Sequence, residues 1–354
     1  MPRIACVETA SPLHRFTQPE IKEFARDVFA STPGIDRYMA VFDNAQVHER
    51  QLAVELDWFN ESHDFTDANN QYIETALDLC ETAVTRLAQK SGISTRDFDV
   101  VFLISTTGLS TPSLEARLAN RIEMNPHIKR VPIWGLGCAG GASGIARAHE
   151  YLLAFPKHRA LVLSVELCGL AFQKTDFSKT NLISSALFGD GAAACLMIGD
   201  EVGYHSDTPL PSTLSSLSTL YPDSLDVMSW NVTSEGFKVQ LSRDIPSIVT
   251  SLVKGNVLDL LKTQELELSQ IEHFVMHPGG MKVLLAYAEG LGISIDKLKH
   301  SVGVLNDHGN MSSVTILFIL KRFLEMPHSK KPQYGLLSAL GPGFSSELVL
   351  VQWR

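Results

Sequence analysis

The sequence predicts an α/β protein in which one strand–helix–strand–helix–strand unit occurs twice. Two observations carry this. Short, nearly continuous apolar runs, Asp99–Ser105 and Ile271–His277 among them, read as strands covered on both faces. The order of runs, turns and helical patterns that begins at Asp99 also recurs from Ile271, with a period too long for a solenoid and suited to a duplicated layered unit.

Taken in order, Met1–Val7 reads as a first strand, and Gln18–Phe29 and Thr66–Lys90 as helices, the second with Thr66 as its N-cap. The first unit then runs through strand Asp99–Ser105, helix Pro112–Glu123, strand Arg130–Trp134, helix Ile145–Leu153 and strand His158–Val165. Asp200–Gly203 marks the boundary, giving an N-terminal half 1–200 and a C-terminal half 201–354. Tyr204–Asp226, rich in Ser, Thr and Pro, reads as a loop-bearing connection. A hairpin around Trp230–Val239 follows, then a long helix, Ile245–Leu261, with Val249, Leu252, Val253 and Leu260 on its buried side. The second unit is strand Ile271–His277, a break at Pro278-Gly-Gly280, helix Val283–Leu291, strand Ser301–Leu305 and a turn at Asn306–Asn310. Helix Ser312–Phe323, strand Gly335–Leu340 and a hairpin arm, Ser346–Val351, complete it.

Composition narrows the function. With 354 residues, 45% hydrophobic and 19% charged, the chain can bury one large core or two intimately packed ones. A net charge of −9 argues against a nucleic-acid or anionic-membrane surface as the main partner. No apolar run approaches the ~18 residues of a membrane span, and the N-terminus lacks the layout of a signal peptide. Cys6, Cys80, Cys138, Cys168 and Cys195 are odd in number and scattered, so no disulfide framework is implied. The expectation is a cytoplasmic protein with free thiols.

The stretch that points to chemistry is Trp134-Gly-Leu-Gly-Cys138-Ala-Gly-Gly-Ala-Ser-Gly144. It carries one cysteine where a strand becomes a helix, and unpaired N–H groups with a partial positive charge at a helix start favour a thiolate. The plainer reading is a buried structural cysteine. A competing one is a dinucleotide fingerprint, Gly135-x-Gly137-x-x-Gly140, with Glu166 as the acidic residue further on. The duplication points to the site: the Cys138 turn of the first unit corresponds to the Asn310 turn of the second, and His277 ends the preceding strand. Loops at strand ends gather in one crevice in such folds. A Cys138–His277–Asn310 set can make a thiolate–imidazolium pair and offer donors to an oxyanion. His308 reads as a supporting or solvated residue.

Four motifs, Gly135-Leu-Gly-Cys138-Ala-Gly-Gly141, Met276-His277-Pro-Gly-Gly280, Gly309-Asn310-Met-Ser-Ser313 and Ala186-Leu-Phe188-Gly-Asp-Gly-Ala-Ala-Ala194, resemble those of the type III polyketide synthases, the chalcone synthase-like members of the thiolase superfamily. The resemblance spans nearly the whole chain and keeps the motif order. It implies a duplicated five-layer α/β/α/β/α sandwich, and it sets the dinucleotide reading aside. It implies that Cys138 accepts an acyl group from coenzyme A, and that His277 and Asn310 stabilise the enolate formed when malonyl-CoA loses carbon dioxide. Phe188 and Phe237 match gatekeeper aromatics. Ser312, Gly341 and the rest of the loop to Ser345 match positions lining the cyclisation cavity. Thr111 matches a residue reaching into a partner's cavity, which implies a homodimer.

The chain also departs from its plant relatives. Of the basic cluster expected to hold the CoA phosphates, only Arg37 is kept. Cys168 and Ala171 stand where plant chalcone synthases carry threonines, so an apolar acyl chain is expected as starter. The resulting expectation is a homodimeric synthase that needs acyl-CoA and malonyl-CoA and no other cofactor, and that releases a cyclised alkylpyrone or alkylresorcinol. A ketoacyl-ACP synthase III-like condensing enzyme is the alternative, disfavoured by Pro-Gly-Gly after His277.

Overall fold

The computed structural model describes residues 1–329 and 331–354. The chain opens with β1 (Arg3–Ala10), a small hairpin strand β2 (His14–Thr17), helices α1 (Gln18–Val28) and α2 (Ile35–Asn44), and β3 (Glu49–Leu52), which pairs with β2. The first unit comprises α3 (Phe65–Ser91), β4 (Val100–Ile104), α4 (Leu114–Leu118), β5 (Lys129–Ile133), α5 (Gly140–Ala154), β6 (Arg159–Leu167), α6 (Lys179–Leu187) and β7 (Asp190–Ile198). After β8 (Pro211–Leu220) come the hairpin β9 (Met228–Thr233) and β10 (Gly236–Leu241), then α7 (Ile245–Lys262), β11 (Ile271–Met276) and α8 (Met281–Leu291). The chain ends with α9 (Lys299–His308), α10 (Thr315–Glu325), β12 (Gln333–Gly341) and β13 (Ser345–Trp353).

The nine-stranded sheet has the order β11-β12-β13-β8-β1-β7-β6-β4-β5 and reads as two similar halves meeting at β1 and β8. In each half a parallel pair, β4–β6 or β11–β12, is followed by antiparallel neighbours. Strand alternation sorts the core into layers. Val101 and Leu103 of β4 pack with α3, whereas Val100, Phe102 and Ile104 face α5 and α10. In the second half Val349 and Val351 of β13 face those same two helices, and Leu348 and Leu350 face α7 and α8. The result is α/β/α/β/α, with α5 and α10 buried between the two halves of the sheet, as the resemblance implied.

Five expectations are corrected. Ser301–Leu305 is part of helix α9 rather than a strand: Leu298, Ser301, Val304 and Leu305 are buried at helical spacing, and the short Val-Gly-Val-Leu run imitated a strand. Tyr204–Asp226 contains a full strand, β8, paired with β13 from Pro211↔Trp353 to Leu220↔Ser345; its Ser and Thr are strand residues, half of them facing away from the core. The N-cap of α3 is Asp64, whose side chain accepts from the Asp67 N–H (3.0 Å), so Thr66 lies inside the helix. Leu252 is 36% exposed, and Val257 takes the buried place on α7. The helix expected over Pro112–Glu123 is confined to Leu114–Leu118. No helix among the described residues is long and apolar enough to cross a membrane.

Candidate active site

Each reactive side chain stands at a chain reversal that its neighbours make locally. After β5, Gly135 and Gly137 adopt φ of 89° and 46°, where a side chain would be strained. The turn Gly137–Ala139 then feeds directly into α5, so Cys138 lies at a helix start as expected. The Gly137 N–H donates to Thr106 Oγ1 (3.1 Å), tying the turn to the end of β4. His277 follows the last residue of β11, and its N–H donates to the Ser338 carbonyl of β12 (2.8 Å) before Pro278-Gly-Gly280 turns the chain into α8.

Asn310 lies between α9 and α10. Its N–H donates to the Leu187 carbonyl (2.9 Å) and its carbonyl accepts from the Gly189 N–H (3.0 Å), so the backbones of Asn310 and Phe188 are bridged. Its Oδ1 accepts from the Ser312 N–H (2.8 Å), which orients the side-chain amide. Ser312 holds φ of 50°, a strained value for a serine. Cys138, His277, Asn310, Ser312 and Phe188 line one cavity of about 740 Å³, with Arg37 at its edge. That volume lies in the range of small-ligand sites.

Burial dominates the electrostatics. It pushes the Cys138 thiol up to about 11, although hydrogen bonds from Ser312 and Asn310 pull the other way. It pushes the His277 imidazole down to about 3, and neither ring nitrogen has a protein partner. Burial thus favours thiol and neutral imidazole, against the helix start, which the sequence was expected to use to lower the thiol. A neutral imidazole can accept the thiol proton during attack, and in its neutral form can still donate one N–H to an oxyanion.

The other sequence candidates fall into three groups. Cys168 and Ala171 do not line the Cys138 cavity; they line a second, smaller pocket of about 60 Å³ with Ile21, Phe24, Leu52 and Phe59. Phe188, Trp230 and Val239 border both spaces. Phe237 reaches neither: it is buried between Phe65 (ring centroids 5.3 Å) and Trp230 (6.2 Å). Gly341 lies behind the nucleophile turn, where a Cβ would stand 2.4 Å from the Leu136 carbonyl oxygen, and its neighbours Leu340 and Pro342 line the cavity instead. Thr111 is exposed and lies outside the lining of this chain's cavity. His308 is held by Gln51 Oε1 (2.8 Å) against Phe318, in a supporting place. Glu166 is wholly buried and accepts from Thr106 N–H (2.9 Å), Thr107 N–H (3.1 Å), Thr107 Oγ1 (2.8 Å) and Ser313 Oγ (2.5 Å), so it is engaged inside the protein and has no ribose to meet.

Sequence reasoning missed Trp230, Tyr287 and three cations, Lys179, Arg243 and Lys282, which line the same cavity as Arg37. Lys282 was within reach of a sequence argument, since it opens the helix that the His277 turn feeds. The other two cations are brought in by α6 and by the β10–α7 connection, which no local pattern foretold.

A cysteine, a histidine and an asparagine from two halves of a layered α/β sandwich define a thiol-dependent condensing enzyme. The family of chalcone and stilbene synthases matches residues 213–353 through its C-terminal domain, and the FAE1/type III polyketide synthase-like family matches residues 59–276. The chain is 45% identical to a putative chalcone synthase of Bacillus subtilis (strain 168), over 99% of this chain and 98% of that protein. It is 37% identical to the 1,3,6,8-tetrahydroxynaphthalene synthase of Streptomyces peucetius subsp. caesius, over 99% and 93%. The crystal structure of the 1,3,6,8-tetrahydroxynaphthalene synthase of Streptomyces coelicolor A3(2) superposes with a TM-score of 0.94 at 27% identity, covering 99% of each chain. This chain belongs to the type III polyketide synthase family and is a malonyl-CoA-dependent acyltransferase of that class.

The proton balance at Cys138 can be measured. In His277→Ala the Cys138 thiol keeps its burial-raised pKa and loses the imidazole as a candidate base. Alkylation by iodoacetamide should be slower than in the wild type at pH 7 and should rise about tenfold per pH unit from 7 to 9, because the thiolate fraction grows until the pH passes the raised value. A plateau by pH 8 in the variant would mean that the helix start alone activates the thiol.

Proposed function

We propose that this synthase primes on a fatty acyl-CoA bound to Cys138, extends it with malonyl-CoA and releases an alkylpyrone or alkylresorcinol. The half carrying Cys138, residues 1–200, supplies one turn of the site, and the half carrying His277 and Asn310, residues 201–354, supplies two. The thiol of Cys138 attacks the acyl-CoA carbonyl, His277 takes the thiol proton and returns it to the departing CoA sulfur, and a thioester on Cys138 remains. Malonyl-CoA then loses carbon dioxide, with His277 and Asn310 donating to the enolate oxygen. The enolate carbon attacks the Cys138 thioester and expels the thiolate, giving a β-ketoacyl-CoA for the next round. Besides these thioesters the reaction needs no cofactor. The five buried free cysteines suit a reducing cytoplasm.

The observation that supports the fatty starter is the apolar pocket lined by Cys168 and Ala171, next to the Cys138 cavity across Phe188 and Trp230. Each methylene buried there contributes about 0.8 kcal/mol. With acetyl, hexanoyl, lauroyl, palmitoyl and p-coumaroyl starters, kcat/KM should rise with acyl length, and Ala171→Trp should remove the gain for the long starters only. A flat series, or 1,3,6,8-tetrahydroxynaphthalene formed from malonyl-CoA alone as the main product, would overturn the fatty-starter reading.

Four cations, Arg37, Lys179, Arg243 and Lys282, and no carboxylate line the main cavity, and all four are exposed at its rim. They suit the phosphates of coenzyme A and supply what the reduced basic cluster near Arg37 lacked. Arg243→Glu with Lys282→Glu should raise KM for malonyl-CoA about tenfold or more and leave turnover of the N-acetylcysteamine thioester, which has no phosphate, unchanged. Equal losses with both substrates would refute phosphate binding.

A homodimer is supported by β5, the sheet edge, whose Val131 is exposed beside Trp134. An unpaired edge of this kind invites a second strand. Sedimentation equilibrium should give a dimer for the wild type and a monomer for Val131→Glu; a wild-type monomer would refute it.

A further inference from the structure

Arg50, on the short hairpin strand β3, is 1% exposed and borders the pocket lined by Cys168 and Ala171, but takes part in none of the bond-making steps above. Its guanidinium is spent on the end of α6. Nη1 donates to the carbonyls of Ser185 (2.8 Å) and Phe188 (2.8 Å), and Nη2 donates to the Ala186 carbonyl (2.7 Å) and to Gln18 Oε1. Gln18 Nε2 in turn donates to the Ala186 carbonyl (2.9 Å) and the Phe42 carbonyl (3.1 Å). The last carbonyls of a helix have no partners within it and carry its negative end, so a cation fits there. Such caps are commonly solvated; this one is buried, and burial lowers the pKa of Arg50 to about 9, with Asp190 nearby opposing the shift.

The capped segment is the one that touches the reaction. Leu187, Phe188 and Gly189 are bridged to Asn310 by the two backbone hydrogen bonds on either side of Phe188. The two strands of chain meet so closely that a Cβ on Gly189 would lie 2.2 Å from the His308 carbonyl oxygen, and one on Gly309 would lie 2.7 Å from the Leu187 carbonyl oxygen. Segment 187–189 therefore cannot shift without moving 308–310. Arg50 holds the Phe188 carbonyl from one side, and Asn310 is held by the peptide groups flanking Phe188 from the other.

We propose that Arg50 is a positioning residue for Asn310 and Phe188: it sets the height of the α6 C-terminus, and through the backbone bridge it fixes the Asn310 amide over the cavity. Phe188 forms part of the border with the apolar pocket, so the same clamp governs how that border opens. The inference rests on the reading that Asn310 serves decarboxylation, and it goes beyond that reading in naming what holds Asn310.

The experiment measures two steps separately in wild type, Asn310→Ala, Arg50→Met, Arg50→Lys and Gln18→Leu: carbon dioxide release from malonyl-CoA and single-turnover acylation of Cys138 by acetyl-CoA, whose two-carbon acyl group does not extend into the apolar pocket. Arg50→Met should lower carbon dioxide release roughly 10- to 100-fold, the loss expected of a misplaced donor, while acylation stays within about twofold. Arg50→Lys, which keeps the charge and fewer of the bonds, should recover part of the loss, and Gln18→Leu should fall between Arg50→Lys and the wild type. If Arg50→Met does not fold, the Arg50→Lys and Gln18→Leu rates carry the test. Equal loss of both steps, or unchanged carbon dioxide release in every folded Arg50 and Gln18 variant while Asn310→Ala has lost it, would overturn the positioning role. Carbon dioxide release that survives in Asn310→Ala would instead overturn the underlying role of Asn310.

Discussion

The structure depends on how closely α5 and α10 approach between the two halves of the sheet. A Cβ on Gly141 would stand 2.1 Å from the Ser313 carbonyl oxygen, and one on Gly140 would stand 2.5 Å from the Ile104 side chain. Only a first turn of small residues lets α5 enter against the start of α10. Because Cys138 precedes α5 and Asn310 precedes α10, the contact that closes the core also brings both to one cavity. Packing and chemistry share a cause here: the glycines that suit a tight turn are also those that let two buried helices meet.

Joining the halves so tightly buries polar groups, and these are paired across the seam. Glu166 on β6 accepts from Thr106, Thr107 and Ser313, the last from the second half, and Ser164 and Ser313 hydroxyls also meet (2.9 Å). Burial raises the pKa of Glu166, and the four hydrogen bonds act against it. Such a network holds the two units in register, since a buried carboxylate left without donors would be costly.

Polarity along the cavity follows a gradient. Its rim carries cations, its depth holds a thiol and an imidazole that burial keeps neutral, and the neighbouring pocket is almost wholly apolar. Under the proposed reaction, a carboxylate poorly solvated inside favours loss of neutral carbon dioxide, with its negative charge passing to the enolate oxygen. Neither nitrogen of His277 has a protein partner among the described residues.

By itself the sequence determined the duplicated unit, most strands and helices, and the three turns that carry Cys138, His277 and Asn310. These rest on local patterns: apolar runs, helical spacing and glycines where φ is positive. The same locality explains the misreadings. Val302–Leu305 has a strand-like composition, and only its packing within α9 makes it helix; the serines and threonines of β8 resemble a loop until β13 pairs with them. What tertiary structure alone decided was the lining of the site: Trp230 beside Phe188 in place of Phe237, Cys168 and Ala171 in a separate pocket, and cations from α6, α8 and the β10–α7 connection around one rim. Arg50 belongs to the same class, since its effect on Asn310 passes through carbonyls of α6 that are distant in sequence. Residues that turn the chain leave a local signature, whereas residues that surround a cavity are chosen by which elements happen to face it.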